Sequence, residues 1–205
     1  LRNVIATLEG NGEHAAETII VGAHYDHLGR GGWGSLAIGS NGEIHNGADD
    51  NASGTAVLLE TARQLAARST PLPRRVLFLA FTGEELGLYG SKRYVQDPLI
   101  PLTDTVAMLN LDMVGRLRQD RLIAYGVGTA EEWPGWLKDA AAGPKLQILG
   151  EPSGFGPSDH APFHERGVPV IHFFTGFHPE YHRPPDDVPL INIPGMRRVT
   201  ELLVE

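Results

Sequence analysis

The chain has 205 residues, 41% of them hydrophobic, a formal charge of -8 and no cysteine. That length and apolar content suit one domain with a sizeable core, while the acidic balance, with no long block of Lys or Arg, argues against a nucleic-acid partner. Without cysteine there are neither disulfides nor thiolate metal sites, so any metal must be held by His, Asp and Glu, and no apolar stretch approaches the roughly 20 residues that span a bilayer.

A single domain over residues 1–205 is expected. Leu1 follows neither an initiator Met nor a signal-peptide pattern, so the chain is read as a mature or excised piece that lacks N-terminal sequence. Asn3 to Leu8 and Thr18 to Ala23 are short β-branched runs around a polar segment, which predicts a hairpin. The second run ends in His24-Tyr25-Asp26-His27, polar groups at the C-terminal end of a strand, where ligands bind in open α/β sheets. A carboxylate two residues after His24 can fix the tautomer of a metal-binding imidazole, although an ordinary strand-end hydrogen bond explains the pair equally well when it stands alone.

Leu28 to Gly47 is a glycine-rich loop long enough to form the rim of a site. It delivers the chain to Ala48-Asp49-Asp50-Asn51-Ala52-Ser53-Gly54, and Leu58, Ala62, Leu65 and Ala66 then recur at helical spacing. Helix capping explains one or two of those polar residues but not the whole run.

Val76 to Phe81 is a buried-strand pattern, broken at Thr82-Gly83 just before the paired carboxylates Glu84 and Glu85. A capping box of Thr82 with Glu85 is the plain reading; a metal ligand beside a general base is the chemical one. The spacing predicts a helix over Leu86 to Val95, a strand over Thr105 to Leu111 and then the lone acid Asp112, whose burial in apolar surroundings demands a partner. Further on come a strand over Leu122 to Val127, a helix over Glu131 to Ala142, a loop from Gly150 with Ser158 or Asp159 capping a short helix, a strand over Val168 to Phe174, and a closing helix from Pro194 to Leu203. The four histidines between His160 and His178 are assigned no metal. Strands alternating with helices predict an α/β three-layer sandwich, a mixed and mostly parallel sheet with an antiparallel N-terminal edge. His24, Asp50, Glu84, Glu85, Asp112 and His182 would then converge at one end of that sheet.

In order along the chain, GAHYDH, GADDNASG, FTGEELGLYGS, NLDMVG, SDHAPF and YHRPPDD resemble the motifs of the family-28 metallopeptidases, the co-catalytic two-zinc aminopeptidases, over about Ile19 to Asp187. The resemblance implies the zinc aminopeptidase (phosphorylase/hydrolase-like) fold and two Zn2+ per chain. One ion would be held by His24, Asp50 and Asp112 and the other by Asp50, Glu85 and His182, with Asp50 bridging and Glu84 as general base. It further implies that Asp26 orients His24, that Ser158 supports the His182 side, and that the Asp50-Asn51 peptide is cis. Some members carry a Tyr where this chain has Phe155. Its hydroxyl would fall to Tyr181, and Phe155 is left to line a pocket for an apolar substrate side chain. The implied function is removal of N-terminal residues from peptides with a free α-amine, in an exported protein. Carboxypeptidase or dipeptidase action, glutaminyl cyclisation and a catalytically silent binding ectodomain are the alternatives within the same resemblance. Oligomeric state is not legible.

Overall fold

The computed structural model describes residues 1–37, 39 and 42–205; residues 38, 40 and 41 of the glycine-rich segment lie outside the described residues. Strands β1 (Val4–Leu8), β2 (Thr18–His24), β3 (Arg75–Phe81), β4 (Thr105–Leu111), β5 (Arg121–Tyr125), β6 (Gln147–Glu151) and β7 (Val170–Phe174) form one seven-stranded sheet in the order β1-β3-β2-β4-β7-β5-β6. The central four, β3, β2, β4 and β7, are parallel to one another. β1 lies antiparallel to β3, β5 antiparallel to β7, and β6 parallel to β5.

The central strands read as continuous apolar runs because both sheet faces are covered. Val76 and Phe78 of β3 face a core shared with α1 (Gly54–Ala66), α3 (Trp133–Ala140) and α5 (Ile193–Val204) through Val57, Leu58, Leu137 and Val199. Leu77, Leu79 and Phe81 face the opposite side, where Tyr94 and Val95 of α2 (Tyr89–Gln96) and Phe163 of α4 (Ala161–His164) cover them. Each such buried side chain contributes about 1.5–3 kcal/mol. The result is the expected α/β three-layer sandwich. α5 opens with Pro194 in its first turn and Asn192 as its cap, the Asn192 side chain accepting the Gly195 N–H at 2.9 Å. No helix among the described residues is long and apolar enough to cross a membrane.

Four local features differ from expectation. β1 and β2 do not form a hairpin, because β3 is inserted between them and takes β1 as its antiparallel edge partner. Glu84 and Glu85 do not open a helix: they sit in a turn, α2 starts only at Tyr89 after Leu88 in the left-handed region (φ 61°), and no capping box forms. Gln147–Glu151 is an edge strand whose largely exposed residues give no alternating signal, and α4 carries no side-chain cap from Ser158 or Asp159.

Candidate metal centre

Because β3, β2, β4 and β7 are adjacent and parallel, their C-terminal ends share one edge, and the polar residues that follow them meet there. His24 Nε2 lies 3.3 Å from Asp50 Oδ1 and 3.3 Å from Asp112 Oδ1. His182 Nε2 lies 3.1 Å from the other Asp50 oxygen, Oδ2, and 3.2 Å from Glu85 Oε2. Each imidazole nitrogen therefore faces two carboxylates, and a single N–H cannot satisfy both. Ligands of one tetrahedral ion, at 2.0–2.1 Å each, stand roughly 3.3 Å apart, so the donor set and its spacing fit zinc. Two groups of possible metal donors occur among the described residues, His24 with Glu84 and Asp112, and His27 with Asp50 and Glu85.

The electrostatics record an excess of buried negative charge. Burial works against the charged form of His182, but its hydrogen bonds with Asp50 and Glu85 carry it up to about 10. Burial likewise opposes ionisation of Glu85, and the bonds to His182 and His27 overcome it, holding the carboxyl at about 2. Glu84 has no such partner: burial pushes it up to about 9, with Asp112, Asp159 and Glu85 adding to the rise against the pull of His24. Bound cations would draw that value down, leaving a carboxylate suited to exchanging a proton near neutrality.

The surroundings place each group. His24 Nδ1 is 3.1 Å from the main-chain carbonyl of Asp26, whose carboxylate is farther away at 3.9 Å and instead accepts the Glu84 N–H at 3.2 Å. Asp26 thus holds the histidine by its backbone and the Glu84 turn by its side chain. Ser158 serves the opposite side from the one expected: its hydroxyl donates to Asp112 Oδ2 at 2.8 Å, while Asn110 Nδ2 donates to the hydroxyl. His182 Nδ1 is fixed 2.8 Å from the Gly34 carbonyl of the glycine-rich loop.

The residues around Asp50 are used one by one. Asp49 Oδ1 accepts the Gly115 N–H at 2.7 Å, Asn51 bonds Leu111 and Met113, and Ser53 accepts the Val114 N–H, so the run is stitched to the segment after β4 rather than merely capping α1. The Asp50-Asn51 peptide is cis. Asp186, fully buried, accepts the N–H groups of Asp49 (2.8 Å) and Asp50 (3.1 Å) and the Arg116 guanidinium (3.1 Å).

His27 is the site residue that sequence reading passed over. Its Nδ1 is 2.7 Å from Glu85 Oε1, and its signal was present as the second His of His24-x-x-His27 at the strand end. Gly47 is needed beside it: at φ 61° a Cβ would stand 2.3 Å from the Asp50 carbonyl oxygen and 2.6 Å from the His27 ring. Gly47→Ala is expected to cost about 1–2 kcal/mol from the backbone conformation alone and more from the clash, with weakened zinc binding. Chemical denaturation and a zinc titration of the variant check this, and unchanged values in both would refute it.

A cavity of about 610 Å³ opens onto the site, and Phe155, Phe177, Tyr181 and Trp33 line it together with the carboxylates. Phe155 is 65% exposed and Tyr181 stacks on His182 with ring centroids 3.9 Å apart. His160 and His172 stack on each other at 4.5 Å and stay neutral, burial pushing them down to about 2 and about 4; neither belongs to the two donor groups.

The sequence profile of Peptidase family M28 matches residues 3–205. Aminopeptidase YwaD of Bacillus subtilis (strain 168) is 32% identical over 214 residues, covering 98% of this chain and 43% of the relative. Leupeptin-inactivating enzyme 1 of Streptomyces exfoliatus is 35% identical over 131 residues, 63% of this chain and 29% of its own. Among solved structures, BSAP, a zinc aminopeptidase from Bacillus subtilis, superposes with a TM-score of 0.78 at 31% identity over 98% of this chain and 48% of that one. Glutaminyl cyclase of Porphyromonas gingivalis, at 22% identity and a TM-score of 0.78 over 98% of this chain and 75% of that one, shares the fold. The chain spans less than half the length of the first two relatives.

Proposed function

The chain belongs to peptidase family M28, and from that premise we propose that it is a zinc aminopeptidase that removes apolar residues from the free N-terminus of peptides. The observation that carries the reading is Asp50, whose two oxygens face two different histidines, each paired with a further carboxylate. His24, Asp50 and Asp112 would hold one zinc ion, and Asp50, Glu85 and His182 the second. When bound, the ions supply an acidified water and polarise the scissile carbonyl.

Glu84 accepts the proton of the attacking water and returns it to the departing amine; its turn is held by the Asp26 carboxylate. Tyr181 supplies the hydroxyl that Phe155 lacks. Burial, followed by the charges of Asp50 and Glu85, raises its phenol above the ordinary value, so it keeps its proton and remains a donor toward developing negative charge. The aromatic lining, with Phe155 exposed toward the cavity, supports a preference for apolar side chains.

Leucyl anilide compared with its N-blocked form tests this directly. The free amine is expected to be hydrolysed and the blocked form spared, with activity lost to a chelator and restored by zinc. Equal cleavage of both would refute N-terminal recognition, and cyclisation of an N-terminal glutaminyl peptide in place of hydrolysis would move the chain to the cyclase reading.

A further inference from the structure

The cavity lining is acidic at one end: Asp50, Glu84, Glu85 and Asp112 all contribute to it. Lys92 is the one Lys or Arg in the lining among the described residues. It sits in the first turn of α2, and the wall formed by Glu84 to Leu88 runs from the candidate metal ligands to it. Its ammonium donates to the Gly87 carbonyl at 3.0 Å, which orients the side chain along that turn. An ammonium has three donors, and no carboxylate lies within ion-pair distance of Lys92 among the described residues. Lys92 thus offers the cavity an ammonium that no carboxylate neutralises, in a chain whose formal charge is -8. A complementary ligand therefore brings a negative group to the end of the cavity away from its amine. The cavity, about 610 Å³, has the size of a small-ligand pocket, and a short peptide at about 3.3–3.6 Å per residue offers both ends within it.

We infer that Lys92 forms a carboxylate subsite that makes short peptides with a free C-terminus, or with an acidic residue beyond the cleaved bond, the favoured substrates. This rests on the aminopeptidase reading for the position of the amine, and the test separates the two. Binding of Leu-Gly-Gly and its C-terminal amide is measured by calorimetry on the zinc-loaded Glu84→Gln variant, where no turnover is required, and KM is measured on the otherwise unaltered enzyme. The acid is expected to bind about two- to fivefold more tightly than the amide, as for an exposed charge pair with a hydrogen bond. The margin should shrink with added salt, vanish in Lys92→Met and persist in Lys92→Arg. Amidated Leu-Asp against Leu-Asn distinguishes a side-chain carboxylate from the terminal one. Discrimination in either pair that Lys92→Met abolishes supports the subsite. Equal binding within both pairs, or discrimination that survives Lys92→Met, overturns it. Failure of the otherwise unaltered enzyme to hydrolyse leucyl anilide, with carboxylate discrimination intact, would strike the aminopeptidase reading alone.

Discussion

Glu84→Gln is expected to lower turnover by about 10²- to 10⁴-fold while zinc content stays at the level of the unaltered protein. The amide keeps the size of the side chain, and the link to Asp26 runs through the Glu84 main-chain N–H, so the turn is retained. What disappears is the capacity to take a proton. Glu85→Gln is the matched control, because Glu85 is 3.2 Å from His182 and 2.7 Å from His27. There zinc content should fall. Metal analysis and steady-state kinetics on the two variants decide the assignment; near-normal turnover in the first, or full zinc content in the second, would show the two roles to be misassigned.

The largest expected loss of stability is at Asp186, which no motif argument singled out. Asp186→Ala leaves the N–H groups of Asp49 and Asp50 without their acceptor and removes the nearest carboxylate from the Arg116 guanidinium, itself largely buried. Removing one partner of a buried ion pair costs about 3–5 kcal/mol. Glu180, 3.6 Å from Arg116, keeps part of the charge compensated and places the expectation toward the lower end. Because Asp186 follows His182 by one turn of loop and grips the backbone of Asp50, zinc affinity should also drop by about 10- to 100-fold, as when groups that orient a metal ligand are lost. Urea unfolding of the zinc-free variant and a chelator titration of the loaded one measure the two effects separately. A change below about 1 kcal/mol in the first would mean that solvent or Glu180 takes over the role.

What was legible in the sequence follows from how each signal is generated. The central strands were readable because burial on both faces favours apolar residues, as over Val76 to Phe81 and Ala107 to Leu109. Their C-terminal polar residues were readable as candidates because a strand end is where buried chain meets solvent. Pairing was not: nothing local tells β1 to choose β3 over β2, a partner more than 70 residues away (Val4 opposite Ala80). Nor could spacing reveal that Ser158 turns to Asp112, that the Asp26 carbonyl outcompetes its own carboxylate for His24, or that His27 reaches Glu85 across 58 residues of chain. β6 escaped because an exposed edge strand has no apolar face to report.

Asp186 reaches Asp49 across 137 residues and Asp50 across 136. A centre gathered from such distances has no local nucleus: loop closure must be completed before any of its contacts repay the entropy of forming it. Zinc at the proposed centre would therefore be captured only after β7 and the loop beyond it have docked on the sheet. In a finger-type module the ion organises a short stretch of chain; here it would bind late, as the seal on a tertiary structure already formed.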